Sequence, residues 1–560
     1  MIQIYLRAFR LYHKKYLPQV LGWFLIGVLE TPLYVFMVLC FENLSNHVEP
    51  LKNGLWVIGL ATASYLVHLI SDLNLLQTAM VYPTRDLQVG LFRHFLRIPP
   101  RRYLEVSSGK LTNVLFSQII AGWFLQGLVK SAYYMVRIVV LFYLIAHVSL
   151  LLGLISTVPV FVLVLLGRTM GRSFVNANAR AAETNARFES FVTDTLNGIL
   201  TVKLFNAAAF HVERARKLAR AHNWCWLKAD FLGEGVNSIS AGLPQLVVPL
   251  FLVVGGYLMA QGQITVAQLV SLYIIVNLLN SAISEAGILL GYSLNYGGQL
   301  KVILDFLDKE QEGEQPFPFR QGRMALQNVD FAYDGHKEIL RDVSLTVQPG
   351  EKLAIVGQSG TGKSTIFALL RGIQFPLHGE VQVDGTKVAQ NNAPSLREQI
   401  ASVSQAAYLF DADLKFNLTL GQERPASEIR DVLRVVGLEG FVDGLPDGMD
   451  TRFGPNGFAV SGGEKARLCL ARALLMDRPV LLLDEFTANI DSICEEEILE
   501  NVLHGMDNKT VVVISHRLSS VRNFPRIVFL EDGQIRAEGT HQALLSSVPR
   551  YRQMFGEQVA

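Results

Sequence analysis

Six apolar stretches of about 20 residues divide the first 300 residues of this 560-residue chain, at 17–41, 55–80, 125–147, 149–168, 241–262 and 266–291. Roughly 20 helical residues are needed to cross a hydrocarbon core about 30 Å thick. Inside that core no water bonds the backbone, so only helices or a closed barrel can span it. Stretches of this length predict helices, and a soluble fold for the first half is excluded.

The loops set the expected orientation. The 42–54 loop carries only Lys52 against Glu42 and Glu49, and the links near 148 and at 261–264 carry no Lys, Arg, Asp or Glu. The N-terminus carries Arg7, Arg10, Lys14 and Lys15; the 81–120 stretch carries Arg85, Arg93, Arg97, Arg101, Arg102 and Lys110; a third basic stretch spans 169–235. Basic loops stay cytoplasmic. Both termini are therefore expected in the cytoplasm of a bacterial inner-membrane, multi-pass protein. Residues 1–16 mix aromatics with Arg and Lys. They predict an interfacial helix rather than a signal peptide, because no small-residue cleavage site follows a short apolar core.

The two long basic stretches are expected as helices reaching well below the membrane. Phe188, Phe191, Leu196, Ile199, Val202 and Phe205 recur at helical spacing. Ionisable residues within spans face a bundle interior or an aqueous cavity. Glu30, near mid-span, is assigned a cavity or interhelix role. His68 and Arg137 lie within spans two and three, whereas Asp72 and Glu285 lie near inner ends, where they reach water.

Composition separates the halves. Residues 1–300 carry 23 Lys and Arg against 13 Asp and Glu, and residues 301–560 carry 27 against 36. The four cysteines, Cys40, Cys225, Cys469 and Cys494, are scattered with no C-x-x-C. This spacing argues against a disulfide framework or a structural zinc site. A linker rich in Glu, Gln, Pro and Gly follows at 306–322, and the expected domains are 1–305 and 323–560.

Beyond the linker, short apolar runs alternate with helical segments and predict an α/β core. Residues 357–364 read Gly-Gln-Ser-Gly-Thr-Gly-Lys-Ser, a phosphate-binding loop between a buried strand and a helix. Gly357, Gly360 and Gly362 let backbone approach phosphate. The N–H groups from Ser359 and Thr361 to Thr365 surround it, Lys363 places a cation on the β- and γ-phosphates, and the Ser364 hydroxyl ligates Mg²⁺. A second apolar run, 480–483, ends in Asp484 and Glu485. Asp484 suits the Mg²⁺ shell, and Glu485 suits polarisation of the attacking water. Ser461, Gly462 and Gly463 open a helix and form a second anion site. Were the two sites apart in the fold, a second copy of the domain would complete the pocket. Tyr333 could stack on an adenine or pack in a strand.

In this order the motifs resemble the nucleotide-binding domain of ATP-binding cassette (ABC) transporters over 323–545. The preceding 300 residues resemble the six-helix exporter-type membrane domain. The resemblance implies a multidomain fold: an all-α six-helix transmembrane domain with long cytoplasmic extensions, then an α/β P-loop NTPase domain. It implies ATP and Mg²⁺ as cofactors, adenine stacking by Tyr333, and Walker A at 357–364. Gln405 becomes a Mg²⁺ and catalytic-site residue, the signature falls at 460–464, and Walker B falls at 480–484. Glu485 is implied as the catalytic carboxylate, His516 as the switch histidine, and 488–491 as the D-loop. Segments 102–110 and 197–203 resemble the two intracellular loops whose short helices press on the nucleotide domains.

The resemblance further implies a dimer of such halves, with ATP held between Walker A of one and the signature of the other. A homodimer is expected, since nothing lost demands a complementing chain, though a heterodimer stays open. The expected partners are a second copy, the bilayer and an unidentified solute; nucleic acid is not among them, and the six spans exclude a soluble chromosome or repair ATPase. The leading activity is ATP-driven export of an amphipathic solute, peptide or lipid. An exporter-fold importer of a metal chelate or small molecule and a nucleotide-gated channel are the alternatives. No peptidase or siderophore-interaction domain is read before the first span. The chain departs from the family pattern at Glu464, where Gln is usual, at Pro455, where a Glu is usual, and in the D-loop, which reads Ala-Asn-Ile-Asp rather than Ser-Ala-Leu-Asp.

Overall fold

The computed structural model describes residues 22, 24–26, 28–40, 43, 49–75, 82–103, 119–333, 338–405, 407–454, 458–486, 492–506, 508–515 and 517–556. The expectations for 1–16, 104–110, Pro455, the 488–491 D-loop, His516 and the Asp72 side chain fall outside them. The chain forms two units: Met1–Arg97 with Leu104–Lys309, and Ile98–Tyr103 with Glu310–Ala560.

The first unit is helical. Among the described residues, four helical segments are long and apolar enough to cross a membrane: Pro50–Ile70, Lys130–Val148, Ala208–Ala260 and Val266–Leu289. Two shorter apolar helices, Phe24–Cys40 and Leu150–Leu166, occupy the remaining expected positions. The helices end where capping chemistry ends them. Ser149 accepts from the Leu152 N–H at the break after Val148. Thr265 and Gln268 form a reciprocal capping box before the last span.

The helices Leu150–Asn197 and Ala208–Ala260 have 48 and 53 residues. At 1.5 Å per residue they run about 70–80 Å, far beyond a bilayer core. The long extensions expected from the sequence are therefore present. Gly198 stops the first, and the short helix Ile199–Leu204 separates the two. Across this turn Phe191 stacks on His211 at 5.6 Å, and Thr195 Oγ1 lies 3.1 Å from His211 Nδ1. Ile145, Leu152, Phe251, Val276 and Leu279 are fully buried between four helices.

The second unit holds two sheets. The four-stranded antiparallel sheet is built from β1 (Met324–Phe331), β2 (Leu340–Val347), β4 (His378–Val383) and β5 (Thr386–Lys387), in the order β2-β1-β4-β5. The six-stranded sheet comprises β3 (Lys352–Val356), β6 (Ile400–Val403), β7 (Val480–Asp484), β8 (Thr510–Ile514), β9 (Arg526–Glu531) and β10 (Gln534–Gly539). Its order is β10-β9-β3-β8-β7-β6, parallel except for the β9–β10 pair. Continuous apolar runs make such strands, because both faces are covered. Leu481 and Leu483 of β7 enter one core cluster, and Val480 and Leu482 enter the other.

Residues 310–322 pack with this unit. Phe317 is buried in the core behind the antiparallel sheet, and Arg397 pairs with Glu312. Asp384 accepts backbone N–H bonds from Arg320, Gln321, Gly322 and Arg323 at 2.7, 3.1, 3.0 and 3.0 Å. The short helix Pro100–Tyr103 belongs to the same unit, where Arg101 Nη2 donates to Gln390 Oε1 at 3.0 Å.

Candidate nucleotide-hydrolysis site

The site gathers at the C-terminal ends of the parallel strands. β3 runs into the 357–364 loop, which turns into the helix Lys363–Leu370. Two glycines are dictated by space. A Cβ on Gly357 would lie 2.3 Å from the Leu530 carbonyl oxygen, and Gly362 combines φ 102° with a Cβ position 2.5 Å from Leu340. The first N–H groups of any helix have no partner inside it, so the loop delivers donors to its mouth. Gln358, Ser359, Gly360 and Ser364 are exposed there.

Lys363 is buried, and its ammonium donates to the carbonyls of Gly357 and Gln358 at 2.9 and 2.8 Å. Burial lowers its pKa, while Glu485 and Asp484 oppose that shift. Ser364 Oγ donates to Asp484 Oδ1 at 3.1 Å, joining the loop to the end of β7. Burial raises the Asp484 pKa; the Ser364 hydrogen bond and the Arg371 and Lys363 charges hold it down in part. Glu485 then leaves the sheet with φ 43°. That left-handed conformation costs a non-glycine residue on the order of 1–2 kcal/mol. Its N–H donates to the Ile514 carbonyl at 3.1 Å, and its Oε2 accepts from Gln405 Nε2 at 3.0 Å. Two polar pairs, Ser364–Asp484 and Gln405–Glu485, thus bring together four residues that the sequence singled out.

Tyr333 lies edge-on to Phe331 at 4.9 Å, and its hydroxyl is 3.4 Å from Thr365 Oγ1. Its ring packs against Phe331 on one side and is partly exposed beside the loop. Ser461 caps the helix Gly462–Leu475, and its hydrogen bonds stay within its own turn. Sequence reading missed Arg371. It follows the loop's helix, donates to Phe367 O at 3.1 Å and to Ser402 Oγ at 3.3 Å, and bears electrostatically on Asp484. A basic residue closing the apolar run 366–370 was the available signal.

Glu30 lies within the helix bundle. It is 3% exposed and accepts from Tyr34 at 2.9 Å, from Ser64 at 3.5 Å and from Tyr133. The Arg137 guanidinium is 4.0 Å away, donates to Tyr133 at 3.0 Å and stacks over the Tyr34 ring at 4.5 Å. His68 Nδ1 approaches to 3.7 Å. Of the two roles expected for Glu30, the interhelix one is what these contacts describe. Glu285 is exposed.

Two family models match, the ABC transporter transmembrane region over residues 20–283 and the ABC transporter domain over residues 340–488. The chain belongs to the ABC transporters. It is a half-transporter of the exporter type, with ATP hydrolysis coupled to transport across a membrane. It is 29% identical to the ATP-dependent lipid A-core flippase of Alkalilimnicola ehrlichii, over 90% of this chain and 89% of that one. Identity to the multidrug resistance ABC transporter ATP-binding and permease protein of Lactococcus lactis is 28%, over 85% and 82%. A solved structure of a bacterial Atm1-family ABC exporter with ATP bound shares the fold at a TM-score of 0.88, with 24% identity over 98% and 99% of the chains.

Proposed function

We propose that this half-transporter works as a homodimer that exports an amphipathic solute, with two equivalent ATP sites. The carrying observation is that one chain presents the paired Ser364–Asp484 and Gln405–Glu485 contacts at the mouth of a phosphate-binding loop. A chain so equipped needs no catalytic group from a different partner. The names of the relatives, a lipid A-core flippase and a multidrug transporter, favour an amphipathic cargo.

The donor set fits Mg²⁺. Among the described residues no group of three His, Cys, Asp or Glu is placed to hold a metal ion by itself. A hydroxyl, an amide and one buried carboxylate beside a phosphate site are what a cation completed by phosphate oxygens and waters requires. Ser364, Gln405 and Asp484 would hold it, and when bound it neutralises charge on the β- and γ-phosphates. Lys363 would leave the loop carbonyls for phosphate oxygens. Glu485 would accept a hydrogen bond from the attacking water, oriented by Gln405. Ser461 and the Gly462 and Gly463 backbone of the second copy would close over the terminal phosphate, and His516 would complete the site.

The experiment is purification of the chain alone in lipid nanodiscs, with mass and ATPase measured for it and for Glu485→Gln. A mass of two chains, turnover in the parent and turnover at least tenfold lower with ATP retained in E485Q are expected. A monomer that hydrolyses only after a different half-transporter is added overturns the homodimer.

A further inference from the structure

Glu464 occupies the signature position where the family pattern has Gln, and the structure shows what its carboxylate bonds. Ser461 Oγ donates to Glu464 Oε2 at 2.8 Å, and the same oxygen accepts from the Ser461 N–H at 2.8 Å. In return the Glu464 N–H donates to Ser461 Oγ at 3.2 Å. Both proton donors of Ser461 are therefore committed to one carboxylate. The group lies at an open rim, with Ser461 and Gly462 exposed. The nearest cations on that helix are Lys465, next in sequence, and Arg467, which is committed to the Gly437 carbonyl at 2.9 Å.

We propose that Glu464 is a brake on nucleotide-driven closure: its carboxylate holds the Ser461 hydroxyl and places a negative charge where the terminal phosphate of a nucleoside triphosphate on a second copy docks. This inference rests on the homodimer reading. An isolated carboxylate at a helix N-terminus is favourable, because it offsets the positive end of the helix dipole. An arriving phosphate competes for that same end. Closure then requires the Ser461 hydroxyl to leave Glu464 and two like charges to approach. Glutamine at this position keeps the cap through its carbonyl oxygen, carries no charge and, as a neutral acceptor, holds the hydroxyl more weakly than a carboxylate does. The carboxylate thus sets a higher ATP threshold for closure and limits idle hydrolysis.

The test uses the full chain in nanodiscs, in a Glu485→Gln parent that retains ATP. The distance between labels on the two nucleotide units is followed against ATP concentration. Adding Glu464→Gln is expected to lower the half-maximal ATP concentration about tenfold at low salt, equivalent to ~1.4 kcal/mol. The gap should narrow in molar salt, where the Debye length falls to about 3 Å. Thermal stability should fall only slightly in E464Q, which keeps the cap and loses the favourable charge at the helix N-terminus. Glu464→Ala, which loses cap and charge together, should melt lower yet still close at less ATP than the parent. Equal half-maximal ATP for parent and E464Q at both salts overturns the brake while leaving the homodimer standing. A parent that never closes with ATP overturns the homodimer reading and the brake with it.

Discussion

At the scale of single residues, Asp484 shows how burial creates a sensitivity. A carboxylate must be ionised to serve a cation, yet burial pushes its pKa above the ordinary Asp value. Mg²⁺ affinity should therefore begin to fall on acidification at a higher pH than an exposed aspartate would permit. Arg371 is one of the charges holding Asp484 down. In Arg371→Met the carboxyl should move further up, so the acid limb of Mg²⁺-dependent ATPase shifts to higher pH with little change near pH 8. Arg371→Lys should recover part of the shift. An unchanged profile in R371M would remove Arg371 from the site. The motif residues were legible in the sequence because each sits at a fixed spacing within one loop or strand end. Arg371 was not, because its relation to Asp484 exists only once β7 lies beside the loop's helix.

At the scale of elements, the Glu30 cluster joins the Phe24–Cys40, Pro50–Leu75 and Ile119–Val148 helices through one carboxylate. Removing one partner of a desolvated ion pair leaves the other uncompensated and costs roughly 3–5 kcal/mol. Glu30→Gln should lower the thermal midpoint in detergent or lipid by several degrees. Arg137→Met alone should do the same, and the double variant should lose less than the two added together. Strict additivity of the two losses would show that the pair is not coupled. The ionisable residues within spans were visible in the sequence, but their pairing was not. Glu30 and Tyr133 lie 103 residues apart, and no periodicity reports which of three helices a buried carboxylate will face. Helix ends, by contrast, followed local chemistry, with Ser149 and Thr265 as caps at breaks the polarity pattern already marked.

At the scale of the whole molecule, the chain forms two units of opposite solvation. One shows apolar side chains such as Leu55, Ile58, Phe161 and Val253 on its exterior, a surface suited to acyl chains. The other buries its apolar runs on both faces of a parallel sheet. Composition and charge made this division readable, because solvent preference is a property of long stretches rather than of contacts. Which residues form the start of the second unit was less readable. A stretch rich in Glu, Gln, Pro and Gly reads as a tether, and only the fold reveals that Phe317 is core and that Asp384 collects four backbone donors.

That collar has a consequence for where the ATPase becomes self-sufficient. A fragment cut before Arg323 discards Phe317, the Glu312–Arg397 pair and three of the four residues that bond Asp384; one beginning at Glu310 retains them. Burial alone would raise the Asp384 pKa, but the four N–H donors outweigh it and draw it below its ordinary 3.8. A depressed carboxyl contributes stability in full above its unfolded pKa and loses it as pH falls through the folded one. The longer fragment should therefore melt higher at neutral pH, and the Asp384 share of its advantage should fade as the solution is acidified below about pH 4. Where the membrane half ends and the engine begins is thus a matter of proton titration as much as of chain length.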